Sequence, residues 1–303
     1  MTIAFDHDVC VVGGGPAGSS AAVFTAREGL DTVVFDRGNS SLRQCAYLEN
    51  YLGFPAGVDV ETAYDLFHDH VREAGGEVVD DLVASVEPLE TGFRVTTQEG
   101  RELTTERVVA ASTYDDSYLL DLHDAFAVVE TDEDGEESRH FDYDHPDEHG
   151  RTAVDGLYVA GPLGGVESQV AIAVGHGARV GVGLLTDRNE AAGLWAEAAS
   201  HTDWVVKQGR YAGEEWLETV TGYYAERAPE SMDEETARER ARALAEEQQD
   251  WQIPEAEVER RRETGHRELA RRLDSEAVLD AVDDERIREY AAGLDGVEAS
   301  GDD

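Results

Sequence analysis

Lysine is almost missing from this chain. Lys207 is one of only 25 basic residues among 303, against 67 aspartates and glutamates, and the formal net charge is -42. No basic stripe exists to neutralise a phosphate backbone, which excludes nucleic acid as a partner. Cysteine is equally scarce. Cys10 and Cys45 form neither a C-x-x-C pair nor a metal spacing. A disulfide framework, a metal site and a redox dithiol are therefore excluded, and free thiols in a reducing interior are expected. Long apolar runs are lacking too. The most apolar later stretch, Val166 to Leu185, is interrupted by Glu167, His176 and Arg179, which rules it out as a membrane span. The opening residues MTIAFDHD lack the basic and apolar regions of a secretion signal. A cytoplasmic protein without membrane partners is the expectation.

The acids run from Asp6 to Asp303 and are not gathered into one tail. Dispersed this way, they describe a carboxylate-covered globular surface. Such a surface repels itself in dilute buffer, and in molar salt the Debye length shrinks to about 3 Å. The composition resembles that of proteins from salt-accumulating halophiles, so salt-dependent stability is expected. Apolar residues still make up 41%, enough for the core of one large domain or two modest ones.

Glycine is what the chain has in a pattern. Asp6 to Arg37 reads as a buried strand (Val9 to Val12), a glycine turn, a helix (Ala17 to Arg27) and a second strand (Thr32 to Phe35). Gly13, Gly15 and Gly18 stand at G-x-G-x-x-G spacing between strand and helix. The first permits a tight turn, the second lets backbone approach a pyrophosphate, and the third lets the helix pack close. Unpaired amides and the positive end of the helix dipole then face the phosphates. Asp36 follows Gly18 by 18 residues, where a carboxylate would accept hydrogen bonds from a ribose. These residues predict a dinucleotide site.

Beyond it, Tyr64, Phe67 and Val71 give a helix over 60–74 an apolar stripe. Short strands are predicted at 77–79, 83–89, 93–97 and 108–111, then a strand at 157–160, a turn at 161–165 and a helix. The expected fold is α/β: a Rossmann-like parallel sheet with a small antiparallel meander in residues 1–188, plus an all-α extension over 189–303. Ser231 to Glu234 reads as a capping box. Trp195, Trp204, Trp216, Tyr223, Tyr224 and Trp251 are aromatics for a helical layer, which either packs on its own domain or covers the site.

Three stretches carry a resemblance: VVGGGPAGSSAA at the start, ENYLGFP at Glu49 to Pro55, and DGLYVAGPLGGVESQVAIAVGHGARVG at Asp155 to Gly181. Over roughly 6–112 and 152–186 the chain resembles the FAD-binding half of the thioredoxin reductase family of pyridine-nucleotide-disulfide oxidoreductases. A prenyl reductase family also opens with GGGPAGSSAA and ranks second. The resemblance implies FAD as cofactor. It implies that Gly13, Gly15, Pro16, Ala17 and Gly18 line its pyrophosphate, with Asp36 and Arg37 at the adenosine ribose and Val83 beside adenine. Asn50, Ser112, Gly161, Pro162, Gln169 and Val170 would lie towards the flavin.

Departures from the family matter as much. The family places a nicotinamide-binding domain between strands 108–111 and 157–160, where a dinucleotide domain needs roughly a hundred residues. Here only an acidic connector, 113–151, intervenes, and no second G-x-G-x-x-G exists. The family's C-x-x-C is also absent. Cys45 is the one weak catalytic candidate: a thiol near the flavin or an inert one. Pro162 replaces the acid that holds the ribityl chain, and Thr113 replaces a turn glycine. The reading is an FAD-dependent oxidoreductase with unknown donor and acceptor, its partner a protein that gives or takes electrons, and a homodimer is possible. The alternative is a degenerate, non-catalytic flavin- or nucleotide-binding module.

Overall fold

The computed structural model describes residues 4–38, 40–112, 116–131 and 137–298. The chain opens with β1 (His7–Val12), α1 (Pro16–Arg27) and β2 (Thr32–Phe35), and a second crossover runs through α2 (Val60–Glu73) to β3 (Glu77–Val79). A meander follows: β4 (Val83–Pro88), β5 (Phe93–Thr97) and β6 (Glu102–Ala110). Next come α3 (Ser117–Leu120), the hairpin β7 (Ala127–Thr131) and β8 (Glu137–Phe141), then β9 (Leu157–Val159) and α4 (Val170–Ala191). The expected α/β class, with a parallel core and an antiparallel meander, is the observed one.

The sheet order is β3–β2–β1–β6–β5–β4, with β9 also paired to β6. β6 is longer than the predicted strand because, opposite β1, its other edge serves two neighbours in succession. Its first half pairs antiparallel with β5 (Arg94 opposite Thr104), and its second half pairs parallel with β9 (Val109 opposite Tyr158). From β1 the chain steps to β2 and β3 on one side, and β6 lies on the other. In open α/β sheets, such a reversal leaves a crevice at the carboxyl ends of the strands.

Period-two alternation in β1 builds a core on each face. Val9 and Val11 meet Ala17 and Ala21 of α1, Val71 of α2 and Leu184 of α4. Cys10 and Val12 face Phe93 and Val95 of the meander and Phe126 and Phe141 of the connector. Burial on both faces is why these strands read as unbroken apolar runs. Helix α4 lies on α1 almost backbone to backbone. A Cβ added to Gly177 would sit 2.0 Å from the Ala17 carbonyl oxygen, and one on Gly181 would sit 2.9 Å from Phe24 Cβ. That seam carries the amino end of α4 to the amino end of α1.

The remaining elements are α5 (Ala196–Ala199), β10 (Val206–Lys207), α6 (Glu214–Ala225), α7 (Glu234–Asp250), β11 (Gln252–Ile253), α8 (Glu255–Arg271), α9 (Ser275–Asp280) and α10 (Asp284–Glu298). The chain divides into two compact units, 1–204 with 213–247 and 205–212 with 248–303. The boundary expected at 188/189 falls inside α4. In the first unit Trp195 and Ala241 are buried beside Tyr224 and Met232, whereas Trp204 and Tyr223 stay exposed. The cap of α7 is Asp233, which accepts the Thr236 N–H at 2.9 Å. Ser231 is not the cap, because it precedes the first helical residue by three. In the second unit β10 and β11 form a short parallel pair, and α8 carries i,i+3 and i,i+4 ion pairs from Glu257 to Arg260 and Arg261. Among the described residues no helix is long and apolar enough to cross a membrane, and no His/Cys/Asp/Glu group is suited to hold a metal.

Candidate dinucleotide site

Four strand ends meet at the crevice. The Gly13 N–H donates to Phe35 O at 2.9 Å, Ala111 N–H to Val12 O at 2.8 Å, and Ala160 N–H to Ala110 O at 2.8 Å. Gly13 has φ +100° and backs onto Ala111, whose carbonyl oxygen would lie 3.0 Å from an added Cβ. That left-handed turn requires glycine. A Cβ on Gly18 would lie 1.9 Å from the Gly13 carbonyl oxygen, so the third motif glycine seats the helix on its own turn. Helix α1 then begins at Pro16 with no side-chain cap on its free amides.

Two adjoining cavities share Gly15, Ser40 and Ala111 in their walls. The smaller, about 100 Å³, takes Gly13, Asp36, Val83, Gln98 and Ser112. The larger, about 540 Å³, takes Pro16 and Ala17 at one end and Pro162, Gln169 and Val170 at the other, with Cys45 and Asn50 between. The crevice thus runs from the amino end of α1 to that of α4. Among the described residues no aspartate or glutamate lines the larger cavity, although the chain holds 67 of them. Two helix N-termini without side-chain caps, opening on a cavity with no acid among its described lining residues, suit an anion.

The loop over the crevice is anchored by its own small core. Leu42, Leu48 and Val58 pack with Ala63 and Tyr64 of α2, and Leu48 and Val58 exchange backbone hydrogen bonds at 2.9 and 3.0 Å. From that loop, Asn50 Nδ2 donates to Gln169 Oε1 at 3.0 Å, joining residues 119 apart in sequence. Cys45 is a free, exposed thiol on the same wall, while Cys10 is fully buried and burial pushes its thiol far above the usual range.

Asp36 is buried and heavily partnered. The Tyr64 hydroxyl donates to Oδ2, the His68 ring nitrogen Nε2 lies 3.1 Å from the same oxygen, and the Gly38 N–H donates to Oδ1 at 2.9 Å. Burial pushes this carboxyl up, but the hydrogen bonds from His68, Tyr64 and Gly38 outweigh it and leave Asp36 below its ordinary value. His68 and Tyr64 escape motif reading because they lie on a helix 28 to 32 residues further on. The stripe marked Tyr64 only as core.

Three expected residues stand off the cavity walls. Gly18 is beneath the turn. Arg37 is engaged by Glu99 at 2.9 Å and Asp81 at 3.4 Å. Gly161 donates its N–H to His176 Nδ1 at 3.0 Å, so His176 fixes the turn before α4. Thr113 lies outside the described residues. Between β6 and β9 the described residues make α3, a short 3-10 turn and the β7–β8 hairpin. A wider cleft of about 670 Å³ opens at the amino end of β9. Its Arg107 and Arg151 are already paired with Glu106 and Asp187.

Residues 7–120 match the family described as pyridine nucleotide-disulphide oxidoreductase. Thioredoxin reductase of Aquifex aeolicus is 31% identical over 108 residues, 35% of this chain and 33% of that protein. This part of the chain is thioredoxin reductase-like. Thioredoxin reductase of Rickettsia conorii is 31% identical over 103 residues, 33% of this chain and 33% of that protein. The matched stretch thus spans about a third of these curated relatives. The structure of a thioredoxin reductase from Gloeobacter violaceus superposes with a TM-score of 0.51 at 18% identity, covering 67% of this chain and 98% of that one. At that identity the likeness is one of fold. The thioredoxin reductase-like stretch contains the glycine turn, Asp36, Asn50, Tyr64 and His68, and Gln169 reaches it from outside the matched residues.

Proposed function

We propose that this chain is an FAD-dependent oxidoreductase whose flavin dinucleotide lies along the crevice between α1 and α4. The observation that carries it is the cavity of about 540 Å³ into which both helix N-termini open and whose described lining residues include no carboxylate. The glycine cradle fits a diphosphate: a side chain at Gly15 would meet Ser40 Oγ at 3.1 Å, narrowing the approach. In this reading Gly13 to Ala17 bind the diphosphate, Asp36 the ribose, Val83 the adenine, and Asn50, Ser112, Gln169 and Val170 the flavin end. When bound, FAD supplies hydride and electron transfer. The protein's share is binding, orientation and potential, and the amino end of α4 favours an anionic ring.

Pro162 offers no acid to the ribityl chain. Loss of one charge-assisted bond costs roughly 1.5–3 kcal/mol, about ten- to hundredfold in affinity. The two helix dipoles and the amide cradle offset part of that. The donor in this reading is a small electron-transfer protein and the acceptor a separate substrate, with a second copy of the chain as a possible partner. Purification in molar KCl tests the proposal. A yellow protein with a flavin spectrum, photoreducible and reoxidised by an acceptor, is expected. A colourless protein that takes up no added FAD overturns it.

A further inference from the structure

Resting on that reading of the site, we infer that Tyr64 and His68 are positioning residues that clamp Asp36 to the glycine turn and so govern ribose recognition. His68 Nε2 lies 3.0 Å from the Gly14 carbonyl oxygen and 3.1 Å from Asp36 Oδ2. Both neighbours are acceptors, so this nitrogen carries the proton and is shared between them. One imidazole therefore ties the end of β2 to the turn after β1. Tyr64 completes the clamp by donating to the same Oδ2, its ring covered by the Arg43 guanidinium at 4.8 Å. Tyr64 and His68 lie four apart on α2, one helical turn, with rings edge to face at 4.7 Å.

The clamp explains a residue that the motif leaves free. Gly14 is an x position of G-x-G-x-x-G, yet a Cβ there would lie 2.8 Å from Asp36 Cβ, 2.8 Å from His68 Nε2 and 2.9 Å from Asp36 Oδ2. The carboxylate and imidazole press directly against the turn, and only glycine admits them. Two donors on Oδ2 and one on Oδ1 leave Asp36 a single open acceptor direction, on Oδ1. Asp36 lines the small cavity with Gly13 and Gly15, so that one direction is what a ribose hydroxyl would meet. A carboxylate freed from Tyr64 and His68 rotates and loses this preorganised direction.

The test uses the full chain in molar KCl with ADP, inorganic pyrophosphate and FAD as calorimetric probes. His68→Leu and Tyr64→Phe should each weaken ADP binding about tenfold, leave pyrophosphate binding unchanged, and keep the cooperative thermal transition. His68→Gln, which retains an amide donor, should recover most of the loss. In an Asp36→Asn background, His68→Leu should cost nothing further, because the carboxylate it positions is gone. ADP affinity unchanged in both single variants, with Asp36→Asn impaired, overturns the clamp while keeping the dinucleotide site. Equal losses for ADP and pyrophosphate also overturn it, since they mark general damage to the turn. A wild-type protein that binds neither ADP nor FAD removes the site reading and the clamp together.

Discussion

At the scale of single residues, protonation is the sharpest handle on the site. Asp36 titrates below its ordinary value in the folded chain. Its contribution to stability is therefore complete above the unfolded carboxyl value and is lost as pH falls through the folded one. Asp36→Asn should flatten that acid limb in a urea-denaturation series, lowering stability near neutrality, where the contribution is complete, and leaving it little changed at low pH. His176 behaves on a higher window. Burial pushes it below the usual imidazole value, and its Nδ1 accepts the Gly161 N–H, which needs that nitrogen unprotonated. Its contribution is complete above the unfolded histidine value of about 6.5 and fades as pH falls below it. Protection of the Gly161 amide, corrected for the intrinsic slowing of exchange in acid, should fall as pH drops below the unfolded histidine value of about 6.5, and His176→Phe should abolish that pH dependence of protection.

At the scale of elements, the α1–α4 seam decides where the two dipoles point. Gly177→Ala forces the helices apart at the Ala17 carbonyl, an overpacking that should cost about 2–3 kcal/mol by urea unfolding in high salt. It should also weaken FAD retention, because the amino end of α4 then withdraws from the crevice. A Gly175→Ala control, where nothing lies within 4 Å of the added carbon, should be neutral or slightly stabilising through helix propensity. The link between the covering loop and α4 is a separate test. Asn50→Ala and Gln169→Ala should each loosen the loop by roughly 0.5–1.5 kcal/mol, seen as faster proteolysis within residues 41–58, and the double variant should be no worse than either alone.

For the whole molecule, charge sets the conditions under which any of this is measurable. A net charge of -42 on 303 residues is self-repelling, and salt shortens its reach from about 10 Å at 0.1 M to about 3 Å at 1 M. The melting temperature should rise by roughly 10 °C between dilute and molar KCl, equivalent to a few kcal/mol for a domain of this size. A flat response would sink the proposal of a salt-adapted surface. Local ion pairs such as Arg27 with Asp203 at 2.5 Å draw on only 25 basic residues against 67 acids and leave the net repulsion standing.

Much of this protein was legible in its residues. Continuous apolar runs and a glycine turn set strand, turn and helix because backbone sterics and burial act over a few residues, and dispersed acids described the surface because charge is additive. Tertiary structure alone decided what joins across the chain. Asn50 finding Gln169, Tyr64 and His68 closing on Asp36, and Gly14 and Gly177 being pressed by distant groups have no local signature. The same holds for β6, whose length follows from one edge serving two neighbours in succession. Each depends on close packing between elements separated by many residues, and a linear pattern carries no record of which surfaces will meet.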